Sequence, residues 1–288
     1  MSIDVCLEDR LRLTGAVLAA GEWPEVEQKL KPYKPHRVAE SARKYFAPAR
    51  AHPAVTAAQN LAGQGEGLEQ LFTRLLVGGG PDNLVPELAS FVAETEPDKF
   101  WTQTEPDWQA AVKEAREVLA RADLEQFLSD LFGPLVLPLE LMPNLLFPGQ
   151  QCLALNAGSR LIIYAPPPLA WGASPPWRYN ERPDEVLAMV CQTAARHLVE
   201  PQLPDGAAAV NQAEALSLAA AVLCLRQAEG QAAGDQFMVI QKKTRGWRGL
   251  PGVVSALEAV LVARRAGQWP RWTDSLPELA APLGHLTG

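Results

Sequence analysis

Residues Arg182 to Pro201 read RPDEVLAMVCQTAARHLVEP, and this stretch organises the chain. Pro183 suits a first helical turn, where no backbone donor is needed, and Asp184 and Glu185 favour the positive end of the helix dipole. The residue before Pro201 is pushed out of helical geometry, so the helix should stop at about Glu200. At about 100° per residue, Leu187, Val190, Cys191, Ala194 and Leu198 share one side. Glu185, Met189, Gln192, Arg196 and Glu200 lie opposite, giving one core face and one mostly polar face.

Upstream of this helix, Leu135–Leu141, Gln151–Leu155 and Arg160–Tyr164 are apolar runs. Pro143-Asn144, Pro148-Gly149 and Asn156-Ala157-Gly158 separate them, so they read as a small, antiparallel sheet. The Pro- and Trp-rich run from Ala165 to Tyr179 is a loop leading into the helix. Trp171 and Trp177 on it are candidates for a cleft rim, but loop tryptophans more often pack onto the domain beneath, and packing is the preferred reading. Downstream, a Pro/Gly connection precedes a helix from Asn211 to about Gln227. A turn at Arg245–Gly249 then leads to a helix striped by Val253, Leu257, Val260 and Leu261. Residues 270–288 read as irregular.

Nearly everything from Leu7 to Leu131 reads as helix: Leu11–Leu18 ended by Gly21, Arg37–Phe46, Val55–Leu61, Leu68–Leu76, Leu84–Glu94, Trp108–Ala120, and Leu124–Phe132 capped by Asp123. Gly78-Gly79-Gly80 lacks the Lys and Ser/Thr of a phosphate-binding loop and reads as a linker.

With 288 residues the chain can bury a substantial core. Its 26 basic and 33 acidic residues give a net charge of −7, which disfavours a nucleic-acid backbone or an anionic membrane as main partner. The N-terminus carries acids and no uninterrupted apolar core, unlike a signal peptide. The run Ala215–Leu225 is too short to span a bilayer. Cys6, Cys152, Cys191 and Cys224 are too widely spaced for a metal knuckle and read as buried thiols, in a reducing, cytoplasmic setting.

Several pieces carry a resemblance to a known family. They are Lys44-Tyr45-Phe46 followed by Ala51-His52-Pro53-Ala54-Val55, the sheet before the central helix, that helix with its trailing Val199-Glu200-Pro201, Glu214 on the next helix, and Arg245-Gly246-Trp247 before the last one. In this order they resemble a bacterial family of gluzincin-type zinc metallopeptidases, known as a domain of unknown function. Setting Glu200-Pro201 on that family's Asn-Pro places Gln192-Thr193-Ala194-Ala195-Arg196 on its HExxH. The resemblance then implies that Gln192 stands at the first His ligand, Thr193 at the catalytic Glu, Arg196 at the second His and Glu214 at the third ligand. Of these only the Glu survives.

An amide oxygen is a poor zinc ligand, a guanidinium cannot be one, and a Thr hydroxyl does not take a proton from water near neutral pH. Arg196 is therefore expected to replace the metal charge beside Glu214, with Gln192 donating a further hydrogen bond. The alternative is an exposed Arg196 paired with Glu200 one turn on. A displaced metal site would need His197, Glu200 and Glu214, but His197 lies about 100° around from Arg196. His52 is expected to cap or pack in its turn, and His36 and His285 to be exposed.

The sequence thus predicts an α+β, mostly α chain: a helical region over 1–132, then a zincin-like region over 133–288 with a small sheet and a degenerate active-site helix. The function expected is that of a non-catalytic pseudo-metallopeptidase without zinc or other cofactor, whose cleft binds a peptide or protein partner, with no nucleic acid and no membrane. Two alternatives stand beside it: a structural or interaction protein with the cleft filled, and an atypical metal-dependent hydrolase using His197, Glu200 and Glu214.

Overall fold

The Pro183 helix forms over Pro183–Val199, and a 3-10 turn at Glu200–Gln202 closes it where Pro201 removes a backbone donor. The computed structural model describes residues 3–23, 34–63, 67–79, 84–172, 174–203 and 207–268. In chain order the elements are β1 (Asp4–Val5), α1 (Asp9–Ala20), α2 (Arg37–Phe46), α3 (Pro53–Gly63), α4 (Gly67–Leu76), α5 (Leu84–Thr95), α6 (Pro97–Leu119) and α7 (Leu124–Phe132). There follow β2 (Leu139–Pro143), β3 (Leu153–Asn156), β4 (Leu161–Ala165), α8 (Pro183–Val199), α9 (Ala207–Glu229), α10 (Gln231–Thr244) and α11 (Leu250–Arg265). The architecture is α+β and mostly α, as the sequence predicts. The expected tail and His285 lie outside the described residues.

Two compact units divide the chain, each drawn from more than one segment. One contains residues 4–117 and 139–182, the other 1–3, 118–138 and 183–288.

In the unit holding the sheet, the strand order is β1-β2-β4-β3. β1 pairs with β2 and β2 with β4 in parallel, while β3 runs antiparallel to β4. The sheet is therefore mixed, not antiparallel as expected. The reason is the segment after β2: Leu145, Leu146 and Phe147 are buried, so the chain leaves the sheet there instead of turning back beside β2. Asn144 holds that segment, its Nδ2 donating to Pro148 O at 2.6 Å and its Oδ1 accepting from Leu146 N at 2.9 Å. The Tyr179 hydroxyl ties the same corner to β4 by donating to Ala165 O at 2.7 Å. β4, buried along its length, carries the uninterrupted apolar run typical of a central strand. Against it Phe72 of α4 packs on Tyr164, the rings tilted at 45° with centroids 5.2 Å apart.

The helices of this unit pack through Phe46, Phe91, Phe100 and Trp101. His52 caps α3, its Nδ1 accepting from Ala54 N at 3.1 Å, as its place before Pro53 predicts. His36 differs from expectation. It is half-buried, and its Nδ1 accepts from Val38 N to cap α2, because a chain entering a helix needs an acceptor for its first amides.

The other unit is helical, built on α9. From Ala215 to Leu225 every residue of that helix is buried, including Ser217. The all-round apolar run is thus a core helix, enclosed by α8, α10 and α11. Among the described residues no helix is long and apolar enough to cross a membrane. α10, which the sequence reading did not separate, approaches α9 at Gly234. A Cβ there would lie 2.6 Å from Val222 O and 2.5 Å from Arg226 Cγ. Arg226 then spans three helices by pairing with Asp235 of α10 at 2.7 Å and Glu258 of α11 at 3.3 Å.

Candidate functional site

Gln192 and Arg196 lie one turn apart on α8, half-buried, on the side opposite Leu187, Val190, Cys191 and Ala194, which are fully buried. α8 and α9 pack side by side, which brings Glu214 of α9 to both residues. Gln192 Nε2 donates to Glu214 Oε1 at 3.2 Å. Arg196 Nη1 stands 3.6 Å from Glu214 Oε2, an ion-pair distance too long for a hydrogen bond. Its Nε stands equally far, 3.6 Å, from Glu200 Oε2. Both pairings weighed from the sequence are therefore present, with Arg196 between two carboxylates.

A further cation completes the arrangement. Arg245, the residue that follows α10, donates from Nη1 to Glu214 Oε1 at 2.5 Å. This is the shortest contact made by the Glu214 carboxylate among the described residues, and the sequence reading did not assign it. Only the Arg245-Gly246-Trp247 turn drew attention, and nothing local signals a contact made 31 residues away. The Glu214 side chain is 18% exposed, while Arg196 and Arg245 are 43% and 51% exposed. A largely buried carboxylate thus meets two half-exposed guanidiniums and one amide. Burying it without such partners would be costly.

Thr193 is half-buried. His197 is half-buried on the adjacent face, and Glu200 is exposed at the end of the helix. Among the described residues no group of three or more His, Cys, Asp or Glu side chains is placed to hold a metal ion, and His197, Glu200 and Glu214 do not form one. The donor set at Glu214 does not fit zinc. Two permanently protonated guanidiniums and the donor end of an amide face the one carboxylate that could bind it, so its lone pairs are already directed to N–H groups.

Trp171 and Trp177 belong to the unit that holds the sheet. They are 79% and 41% exposed, which corrects the expectation that they pack onto the domain beneath. The loop's main chain closes it, Trp177 N donating to Pro168 O at 2.8 Å. In the same unit an open depression of about 730 Å³ is floored by Trp101 and edged by Asp9, Arg12 and Glu105. Its charges already answer one another. Arg12 lies between the Trp101 and Trp108 rings, 5.0 and 5.5 Å from their centroids, pairs with Asp9 and approaches Glu105 at 3.8 Å.

The cysteines are free thiols, Cys191 and Cys224 buried and Cys6 and Cys152 half-buried. Burial, and then donation to the Glu140 carboxylate and that carboxylate's charge, push the Cys6 thiol up to about 12. Burial also raises Cys191 well above the usual thiol range, with the neighbouring Cys224 adding to the effect. Neither offers a thiolate nucleophile at neutral pH.

Compared with known proteins, the chain matches no family model, no curated protein and no solved structure.

Proposed function

We propose that this protein is a non-catalytic pseudo-metallopeptidase of gluzincin type, which acts by binding a peptide or protein partner. The observation that supports this reading is the convergence of Gln192, Arg196 and Arg245 on Glu214. The family resemblance aligns these α8 and α9 positions with a metal site. In place of the ion they hold cationic side chains, which neutralise the surviving carboxylate but cannot generate a hydroxide nucleophile. Thr193, at the general-base position, has no capacity to take a proton from water near pH 7. The half-exposed guanidiniums keep donors directed to solvent, and such donors suit recognition of a partner's polar groups. A cytoplasmic setting accords with four cysteines that form no disulfide.

A second reading, that of a purely structural or interaction protein, draws on one observation. Glu214 joins α8, α9 and the end of α10, so the network also serves to pin three elements together.

Incubating the protein with added zinc and a mixed peptide digest, followed by mass spectrometry, tests the proposal. Peptides recovered uncleaved are the expected result. Cleavage that is lost in Glu214→Gln would contradict it, because a carboxylate held by arginines should have no part in hydrolysis.

A further inference from the structure

We propose that the corner formed by the end of α10, the turn to α11 and the Glu214 network binds an acidic peptide segment. The inference rests on the binding-module reading above and names the class of its partner. From Gln236 to Leu257 the chain has no acidic residue, yet it carries Lys242, Lys243, Arg245 and Arg248, in a protein whose net charge is −7. All four are exposed. Among the described residues Lys242, Lys243 and Arg248 have no ion-pair partner, and Arg245 uses only Nη1, toward Glu214. With Arg196, this stretch and α8 supply five cations, of which Arg196 and Arg245 lie at ion-pair distance from Glu214.

Complementing the α10 dipole accounts for two lysines in its last turn, but not for Arg245 and Arg248 beyond it or Arg196 on α8. Each guanidinium carries five donors, and a carboxylate accepts two in parallel. Arg245 can therefore keep Glu214 on one edge while presenting the other to a ligand.

Apolar surface lies among these charges. Val239 and Ile240 are each 45% exposed; Val239 neighbours Lys242 and Lys243 on the helix surface at three- and four-residue spacing, and Ile240 neighbours Lys243 at three. Val210, 50% exposed, lies one turn before Glu214 on the same face of α9. Trp247 is half-buried in the turn itself. Cations interleaved with aliphatic side chains suit a peptide bearing both carboxylates and apolar side chains. A phosphate backbone would match the charge but leave Val239, Ile240 and Val210 unpartnered.

The probe is a fluorescein-labelled peptide of alternating Glu and Leu, followed by fluorescence anisotropy against the full chain. Its Lys/Leu counterpart and a labelled oligodeoxythymidylate serve as comparisons. The Glu/Leu peptide is expected to bind, more weakly as salt rises, and to lose about tenfold or more in affinity in Lys242→Glu/Lys243→Glu/Arg248→Glu. Those residues are exposed, and circular dichroism checks that the variant folds. If it does not, Lys242→Gln/Lys243→Gln reads the same loss on a smaller scale. The proposal is overturned if the Glu/Leu peptide does not bind, if binding is unchanged in a folded variant, or if the Lys/Leu peptide or the oligonucleotide binds as tightly. Recovering the peptide by mass spectrometry separates the two claims. A cleaved peptide defeats the non-catalytic reading while leaving the acidic preference standing, and an intact, unbound peptide defeats only the present inference.

Discussion

Glu214 is the residue at which the chain's charge chemistry concentrates, and its two arginines are not equivalent. Arg245 makes a true hydrogen bond at 2.5 Å, whereas Arg196 stands at 3.6 Å and divides its charge between Glu214 and Glu200. Half-exposed pairs are weakened by solvent, so Arg245→Ala should cost about 1 kcal/mol in urea unfolding and Arg196→Ala less than about half of that. In the Glu214→Ala background the Arg245 loss should shrink toward zero and the Arg196 loss to what Glu200 sustains, and equal losses in the two backgrounds would show that the Glu214 carboxylate is not their partner. His36 supports a second prediction at this scale. Burial holds its imidazole down at about 4, with Asp107 opposing and Arg37 adding to the shift, below the ordinary value of 6.5. The unfolded chain then binds more protons between those values. Stability is complete above about pH 6.5 and is lost as pH falls toward 4. Asn is also a good helix cap, so His36→Asn should preserve stability at pH 7 and reduce its decline at pH 5, as read from urea midpoints. A decline as steep as in the parent would assign it to other groups.

At the scale of elements, the α9–α10 contact depends on a missing side chain. Gly234→Ala places a methyl group 2.6 Å from a carbonyl that cannot rotate away, and should lower stability by about 1–3 kcal/mol despite the better helix propensity of Ala. A neutral or stabilising effect in thermal unfolding would mean that the two helices have room to separate. The same glycine helps to explain why α10 was not legible in the sequence. The helix buries little besides Gly234, so its apolar stripe is faint, and its exposed Val239 and Ile240 follow no core period. α8 was legible almost to the residue, because Pro183 and Pro201 mark its ends and its apolar spacing is regular. Local punctuation showed β3 and β4 well, since Asn156 and Gly158 build a turn there. The parallel pairing of β2 with β4 was hidden because adjacency across an intervening hairpin leaves no local trace, and the two-residue β1 offers no period to read. Gln192 and Arg196 were placed from helical spacing, and their meeting with Glu214 from the family register. Arg245 was missed because that contact depends on where α10 ends.

Across the whole molecule, chemistry and stability draw on different places. The buried thiols should be inert: Cys191 and Cys224 should react with a disulfide reagent only on unfolding, and rapid labelling of either in the native protein would contradict their burial on α8 and α9. The apolar α9 holds the helical unit together, and the Glu214 network lies beside that core on half-exposed side chains. Under the proposed function, arginine charge stands where a metallopeptidase would hold zinc. Elemental analysis of the purified protein, supplied with zinc and then dialysed, tests it most directly. Less than about a tenth of an equivalent of zinc per chain is expected, since no ligand set at Glu214 can retain it. About one tightly held equivalent would contradict the account, because Gln192, Arg196 and Arg245 could not be its ligands.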